Sequence, residues 1–180
     1  MLETIRLKLR KFILGDIPAF LAYRNDPLVA RYQTWENISA AEAQAFIREQ
    51  QTIQPGQPGE WFQFAIEHKE DQAMIGDCGL KTLADDARQA EIGFTLSRDC
   101  QGQGYATEAV TRLLDYAFSV LNFHRVVGIT DVRNHPSIAL LEKAGFRREG
   151  HFIQNIWFKG AWGDEYLYAI LGEEWLNRDV

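Results

Sequence analysis

The sequence SRDCQGQGYATEAV, residues 97–110, places two glycines two positions apart, directly before a helical pattern. Because glycine has no side chain, the backbone of such a loop can approach a ligand closely. A helix that begins there offers N–H groups without acceptors and the positive end of its dipole, and both favour an anion. The loop alone is weak evidence, since a glycine turn into a packed helix has the same pattern.

The segments around this loop predict one mixed domain. Alternating or continuous apolar residues predict strands at residues 4–12, 61–68, 73–83, 88–97, 125–132, 146–158 and 164–171. Helical spacing and capping residues predict helices after Asp16, from Ser39 to about Thr52, from about Gly104 to Leu121, and over residues 134–145. We therefore expect residues 1–180 to form a single domain of the α/β (α+β) class with about four helices.

Composition excludes several functional classes. The formal charge of -6 disfavours nucleic-acid binding and is compatible with a cationic substrate. Two cysteines, Cys78 and Cys100, do not make a disulfide framework, so we expect reduced thiols and a cytoplasmic protein. The four histidines are scattered, which predicts no metal site. No apolar run approaches the roughly 20 residues of a membrane span, so we expect no membrane association.

Two other phosphate-binding loops do not fit the sequence. A Walker loop ends in Gly-Lys-Ser/Thr, whereas Tyr105 follows Gly104 here. A dinucleotide fingerprint has a further glycine or alanine three residues after the second glycine, where this chain has Thr107. That fingerprint also follows the first strand of a βαβ unit. A nucleotide or dinucleotide binder is therefore the least favoured class.

The stretch Gln101-Gly102-Gln103-Gly104-Tyr105-Ala106 resembles the Gln/Arg-x-x-Gly-x-Gly/Ala loop of the GNAT N-acetyltransferases. NHPSIALLEKAGFRREG, residues 134–150, is similar to the later Asn-x-x-Ser…Gly-Phe segment of the family. IGDCGL, AEIGF and DEYLYAIL resemble the RimJ/RimL branch, which acetylates the N-termini of ribosomal proteins. The likeness extends from about Thr4 to the C-terminus, and the order of elements predicted above is the order that this family uses.

The resemblance implies a single-domain GNAT fold with a mixed, mostly antiparallel, twisted sheet, and acetyl-CoA as cosubstrate without a metal. In the family, the loop and the following helix hold the pyrophosphate, which implies cofactor binding by Gln101, Gly102, Gln103, Gly104, Tyr105 and Ala106. The preceding strand diverges from its neighbour and pairs with the pantetheine arm through its backbone, here that of Phe94, Thr95 and Leu96. One of these N–H groups would stabilise the oxyanion. Asn134 caps a helix on any interpretation, and the equivalent asparagine contacts CoA.

Acetyl transfer to an amine needs a neutral amine, a site for the oxyanion and a proton for the departing sulfur. Glu91 shares a strand face with Gly93 and is a candidate to accept the amine proton, directly or through water, or to hold a cationic substrate. The alternative is an ion pair with Arg88. By resemblance, Ser137 is the candidate to protonate the CoA thiolate; the alternative is a bond to a local backbone group. Five aromatic residues are candidates for an acceptor cleft or for the core: Trp35, Trp61, Phe62, Trp157 and Trp162.

Two positions depart from the family pattern. Leu141 occupies the position of a tyrosine general acid in many GNAT enzymes, and Ile156 that of a glutamate base in some ribosomal-protein enzymes. Because Leu141 and Ile156 cannot act as acid or base, these differences favour Ser137 and Glu91 as the residues that move protons. An α-amine has a pKa near 8, compared with about 10.4 for lysine. A site without a strong base therefore favours an α-amine.

We expect an acetyl-CoA-dependent N-acetyltransferase that acetylates a primary amine by direct attack, without an acetyl-enzyme. The first acceptor to consider is the N-terminal α-amine of a protein or peptide. One alternative is a small cationic amine, such as a polyamine or an aminoglycoside. Another is a non-catalytic sensor that binds acyl-CoA. The sequence leaves the oligomeric state open, a homodimer included.

Overall fold

The structure is a computed structural model, and it describes residues 1–178. Its strands are β1 (Leu2–Glu3), β2 (Leu7–Arg10), β3 (Trp61–His68), β4 (Met74–Thr82), β5 (Gln89–Leu96), β6 (Arg125–Asp131), β7 (Arg147–Phe158) and β8 (Ala161–Leu171). Its helices are α1 (Ile17–Arg24), α2 (Pro27–Ala30), α3 (Ala40–Thr52), α4 (Tyr105–Ser119), α5 (His135–Lys143) and α6 (Gly172–Leu176). Short 3-10 turns lie at Leu14–Asp16 and Arg98–Cys100.

All the strands belong to one sheet, in the order β1-β2-β3-β4-β5-β6-β8-β7. Neighbouring strands are antiparallel except for β5 and β6, which are parallel. The mixed, mostly antiparallel sheet is therefore confirmed. Within residues 1–178, no helix is both long enough and apolar enough to cross a membrane.

Helices cover both faces of the sheet. The apolar stripe of α4 is buried against β2 to β5, and its buried members are Ala109, Val110, Leu113, Leu114, Ala117 and Phe118. A second cluster on the other face brings α1 and α3 against β3 and β4 through residues such as Phe20 and Ile47. The predicted capping box of α3 is confirmed, since Ser39 N–H donates to Glu42 Oε2 at 2.8 Å.

Two local features differ from the sequence prediction. The strand predicted over residues 4–12 is shorter, at Leu7–Arg10, and the preceding strand β1 was not predicted; a turn in which Thr4 N–H donates to the Leu7 carbonyl at 3.0 Å separates the two. The short helices α2 and α6 were not predicted. Four or five residues cover little more than one helical turn, so they show no apolar periodicity that a sequence pattern could reveal.

The two parallel strands separate near their middle. Pairing of β5 with β6 covers only Gln89–Glu91 against Arg125–Val127. Beyond this point β5 continues along β4 to Leu96, and β6 continues along β8 to Asp131. A wedge between the two halves of the sheet therefore opens directly after Glu91, and the glycine loop follows the end of β5.

Candidate active site

The glycine loop has the backbone conformation that glycine favours. Gly102 and Gly104 have φ angles of +74° and +82°, in the left-handed region where a side chain causes strain. The Gln101 Nε2–H group donates to the Leu96 carbonyl at 3.1 Å, and Gln103 Nε2–H donates to a carbonyl of the preceding 3-10 turn at 2.8 Å. These two side chains therefore fix the loop against the end of β5.

The first turn of α4 presents backbone groups to the loop. The Tyr105 ring packs toward β2 and β3, where the Arg6 guanidinium lies 4.4 Å from its centroid and His68 Nε2 lies 3.3 Å from its hydroxyl. Ala106 is half-buried against the core. The first N–H groups of a helix have no acceptor within it. Together with the two glycines they form a cradle whose chemistry suits a pyrophosphate.

The backbone of β5 has free groups on the side where β6 diverges. The Ser97 N–H and the Gln89 carbonyl both bond toward β4, at 2.8 Å and 3.0 Å. Because bonding alternates along a strand, the backbone of Thr95 also faces β4. Phe94 therefore directs its N–H and C=O, and Leu96 its N–H, toward the open side. Thr95 instead contributes a buried side chain to the cleft described next.

A cleft of about 750 Å³ extends from the wedge over the face of β4 and β5 that α1 and α3 partly cover. Glu91 and Ser137, the two candidate catalytic residues, both line it, with Phe94, Thr95 and Asn134. The loop residues 101–106 do not line this cleft. They follow the end of β5, so the open edge of β5 connects the loop to the cleft.

Glu91 is surrounded by opposing charges. Burial raises the pKa of its carboxyl group; Lys81 lowers that pKa and Glu165 raises it further. The alternative pairing of Glu91 with Arg88 is wrong, because Arg88 binds Asp86 at 2.8 Å on the protein surface. A carboxyl with a raised pKa is better matched to accept a proton near neutral pH than an ordinary one.

Asn134 and Ser137 lie on the opposite wall, at the start of α5. Asn134 Oδ1 accepts the Ser137 N–H group at 3.4 Å, which confirms the predicted cap. Leu141 and Ile156, the two positions singled out in the sequence as departures from the family pattern, also line the cleft with apolar side chains. The buried Tyr168 is not a replacement acid, since it lies outside the cleft lining and burial raises its pKa to about 12.

The five aromatic candidates divide into three groups. Trp35 and Trp61 line the cleft. Phe62 belongs to the core, where it is 3% exposed. Trp157 and Trp162 pack edge to face at the tip of the β7–β8 hairpin, and they are 61% and 58% exposed.

Sequence reasoning missed a buried polar network in the cleft. Asp77 Oδ2 accepts bonds from Arg24 Nη2 at 2.8 Å and from the Tyr23 hydroxyl. Arg24 and Asp77 are 53 residues apart in the sequence, so periodicity could not pair them. The detectable signal was Asp77 itself, a carboxylate inside the apolar strand β4, because a buried charge requires a partner.

Carboxylates outnumber basic groups along the cleft. The acidic lining residues are Glu42, Asp77, Glu91, Asp131 and Glu165, and the basic ones are Arg24 and Lys81. This excess favours a positively charged ligand. Among residues 1–178, no group of three or more His, Cys, Asp or Glu side chains is arranged to hold a metal ion.

The fold and site define an acyltransferase of the acetyl-CoA-using type, and comparison with known proteins identifies the family. Residues 6–147 match the model of the acetyltransferase (GNAT) domain. The chain therefore belongs to the GNAT family and is an N-acetyltransferase. It is 33% identical over 177 residues to the uncharacterized N-acetyltransferase p20 of Bacillus licheniformis, covering 97% of both chains. A putative ribosomal N-acetyltransferase of Bacillus subtilis, YdaF, is 33% identical over 105 residues, 58% of this chain and 57% of that protein.

Solved structures agree with this assignment. A GNAT-family acetyltransferase from Bacillus anthracis superimposes with a TM-score of 0.86 at 29% identity, over 96% of this chain and 99% of that one. The spermidine N-acetyltransferase of Vibrio cholerae, in complex with CoA and spermine, superimposes with a TM-score of 0.83 at 26% identity. That match covers 97% of this chain and 100% of the Vibrio chain.

Proposed function

We propose that the protein transfers the acetyl group of acetyl-CoA to the α-amine of a peptide or protein, by direct attack without an acetyl-enzyme. The observation that carries this proposal is the open edge of β5, which leads from the glycine loop to the cleft that contains Glu91 and Ser137. This path joins an anion-binding cradle to an amine-binding cavity, as transfer from acetyl-CoA requires.

The residues along this path suit CoA at each step. Gly102 and Gly104, with the start of α4, supply backbone N–H groups for the pyrophosphate, and a Cβ at Gly102 would meet no atom within 4 Å. The free backbone groups of Phe94 and Leu96 suit the amides of the pantetheine arm. Asn134, on the far wall, is positioned to contact the same arm across the wedge. Acetyl-CoA supplies the thioester, and the chain supplies its orientation.

Two side chains are proposed to move protons. Glu91 accepts the proton of the incoming amine, directly or through water, because burial raises the pKa of its carboxyl group. Ser137, on the facing wall, gives a proton to the departing thiolate. A backbone N–H group of the open β5 edge stabilises the oxyanion. Leu141 and Ile156, which also line the cleft, are apolar and have no proton to transfer.

The α-amine is favoured over the lysine amine because its pKa is lower, so a larger fraction of it is neutral near neutral pH. At pH 7.4 an α-amine of pKa near 8 is neutral about a fifth of the time, compared with about one part in a thousand for a lysine amine. Glu91 is a modest base even with its raised pKa. Positioning a partly neutral amine then supplies much of the rate. The similarity to a putative ribosomal N-acetyltransferase supports the same acceptor class.

A small cationic amine is the second candidate. The excess of carboxylates along the cleft suits a polycation, and the Vibrio structure that resembles this chain holds spermine as well as CoA. Leu141 argues against the polyamine, because polyamine acetyltransferases carry a tyrosine general acid at that position.

We further propose a cytoplasmic protein that forms a homodimer. The free thiols of Cys78 and Cys100 support a reducing compartment. The exposed Ile153, Trp157 and Trp162 of the β7–β8 hairpin support association, since exposed clusters of large apolar residues mark interfaces.

Thiol release from acetyl-CoA with two acceptors side by side tests the proposed acceptor. One acceptor is a short peptide with a free N-terminus and blocked lysines, and the other is spermidine. We expect release with the peptide. Release with spermidine alone would replace the first candidate with the second. No thiol release with either acceptor, together with measurable acetyl-CoA binding, would contradict both proposed acceptor classes and favour a sensor.

A further inference from the structure

Arg24, the last residue of α1, carries hydrogen-bond donors that the protein does not use. The residue is 5% exposed, yet it lines the acceptor cleft. Its Nη2 donates to Asp77 at 2.8 Å and more weakly to Gln63 at 3.4 Å. Its buried Nε has no hydrogen-bond partner among the described residues. Nη1 likewise forms no hydrogen bond among residues 1–178, so an acceptor brought to this guanidinium would satisfy donors that the fold leaves unpaired.

Aromatic rings pack against this guanidinium. Its central carbon lies 3.6 Å from the centroid of the Trp35 ring and 4.8 Å from that of Phe20. Trp35 is itself fixed, because its Nε1–H group donates to the Arg24 carbonyl at 3.2 Å. The N–H groups of Arg24 lie in the guanidinium plane, so a ligand that binds them forms directional hydrogen bonds there.

The charge of Arg24 is already balanced. Asp77 neutralises it at 2.8 Å, and the Tyr23 hydroxyl donates to the same carboxylate oxygen. The other carboxylates of the cleft, Glu91 and Glu165 among them, would repel an anionic ligand. The group that fits the free donor edge is therefore an uncharged acceptor, such as an amide carbonyl oxygen.

The register of the sheet places this edge beside the reacting centre. Asp77 pairs with Thr95 across β4 and β5, and Thr95 is two residues from Gly93 on the same strand face as Glu91. Gly79 and Gly93 pair directly between the Arg24 network and Glu91, and the Trp61 ring lies over Gly93, 3.2 Å from where a Cβ at Gly93 would stand. An extended acceptor that spans from the Arg24 network to Glu91 would pass along this ring.

We propose that Arg24 is a specificity-determining residue that donates to a backbone carbonyl of the acceptor, so that the cleft selects amines attached to a peptide. This inference rests on the proposed acetylation of an α-amine and identifies how the site recognises it. A polyamine has no carbonyl and leaves the Arg24 donor unsatisfied. A peptide satisfies it while its α-amine lies near Glu91.

The test uses matched acceptors with the wild-type enzyme and with Arg24→Lys, which keeps the charge beside Asp77 and removes the planar donor edge. The parent is a short peptide amide. Two isosteres replace its first or its second peptide bond with a trans carbon–carbon double bond, and spermidine is the acceptor without any carbonyl. Arg31→Lys, at an exposed site outside the cleft lining, is the control.

We expect the wild type to use the parent at least about tenfold better, in kcat/KM, than one of the two isosteres, as suits a hydrogen bond to a charged group. Arg24→Lys should lower the parent rate by a similar factor and leave that isostere, spermidine and the KM for acetyl-CoA unchanged. Rates are compared per neutral amine, with the measured pKa of each acceptor, because replacing the first peptide bond raises the pKa of the neighbouring amine. In the comparison of one acceptor between two enzymes this difference cancels.

Three results separate the possible failures. Equal use of the parent and both isosteres by the wild type would overturn the inference, and this comparison stands even where Arg24→Lys does not fold. An equal loss by Arg24→Lys for every acceptor would assign Arg24 a structural role instead. Turnover of spermidine with no turnover of any peptide would refute the proposed acceptor itself.

Discussion

Glu91 lies between a cation and an anion that act on it in opposite directions. Lys81 is its direct cross-strand partner on β4, and Glu165 extends from β8 on the other side of the wedge. Lys81 lowers the pKa of Glu91, whereas Glu165 adds to the rise that burial causes. Substituting either neighbour should therefore shift the pKa of Glu91 without changing the carboxyl group itself.

The pH dependence of kcat/KM tests this arrangement. Glu165→Gln removes a like charge, so the pKa of Glu91 falls and the acid limb moves to lower pH. Lys81→Met removes an opposite charge and moves the same limb to higher pH. Glu91→Gln removes the limb and lowers kcat. An acid limb that stays in place in both neighbouring variants would mean that Glu91 is not the titrating base.

At the residue scale, the sequence predicted the identity of the site better than its contacts. Glu91 and Ser137 were singled out, and both line the cleft. The Arg24–Asp77 pair was missed because a contact across 53 residues depends on how α1 packs over β4. The alternative pairing of Glu91 with Arg88 is wrong for a local reason, since Arg88 lies in a tight turn and binds Asp86 two residues away.

The loop between β5 and α4 is the element on which CoA binding depends. Gly104 is the N-cap of α4 in the left-handed conformation, with φ of +82°. The same φ of +82° occurs at Gly160, in the turn between β7 and β8, far along the chain from the loop. The two glycines therefore impose the same backbone requirement in different surroundings.

Alanine at each of these glycines separates strain from binding. Gly104→Ala and Gly160→Ala should each lower the free energy of unfolding by about 1 kcal/mol or somewhat more, because a side chain strains a left-handed residue. Gly104→Ala should in addition raise the KM for acetyl-CoA severalfold, whereas Gly160→Ala should not. Denaturant unfolding and initial rates measure the two effects. Equal KM values in the two variants would remove the loop from the CoA site.

Elements with strong local sequence signals were predictable, whereas the separation of β5 from β6 was not. The capping box at Ser39 and the apolar stripe of α4 belong to single elements, so the sequence pattern is sufficient. The divergence of β5 from β6 was expected only from the resemblance to a family. Parallel pairing ends after Glu91 because of how two halves of the sheet pack, which no periodicity within β5 records.

In the whole molecule, the separation of β5 from β6 leaves the candidate site residues on two halves of one sheet. The half from β1 to β5 carries the glycine loop and Glu91. The half from β6 to β8, with α5, carries Asn134 and Ser137. The halves are paired only over Gln89–Glu91 and Arg125–Val127. A ligand that lies in the wedge contacts both halves and should stabilise their junction.

Charge pairing links the stability of the whole chain to pH. Ion pairs or hydrogen bonds lower the pKa of nine carboxyl groups: Glu3, Glu42, Glu67, Asp71, Asp86, Glu108, Asp131, Glu149 and Glu174. A carboxyl with a lowered pKa in the folded state stabilises the protein above its unfolded pKa of about 4, and the contribution is lost as pH falls through the folded value. Glu91 acts in the opposite direction, because its charged form is disfavoured on folding.

Glu67 is a well-enclosed member of this set and suits a test. Its side chain is 12% exposed, and it accepts bonds from Arg10 at 2.6 Å and from Lys8 at 3.3 Å. Glu67→Gln should lower the free energy of unfolding by about 1 kcal/mol at pH 7 and by less at pH 3, because the contribution of a lowered pKa declines as pH falls below the unfolded value of about 4. Glu70→Gln is the control, an exposed carboxylate that forms no ion pair within residues 1–178. Urea unfolding of the three proteins at both pH values measures the difference. A Glu67→Gln deficit that is equal at pH 7 and pH 3 would assign the effect to packing, because only a charge interaction disappears on protonation.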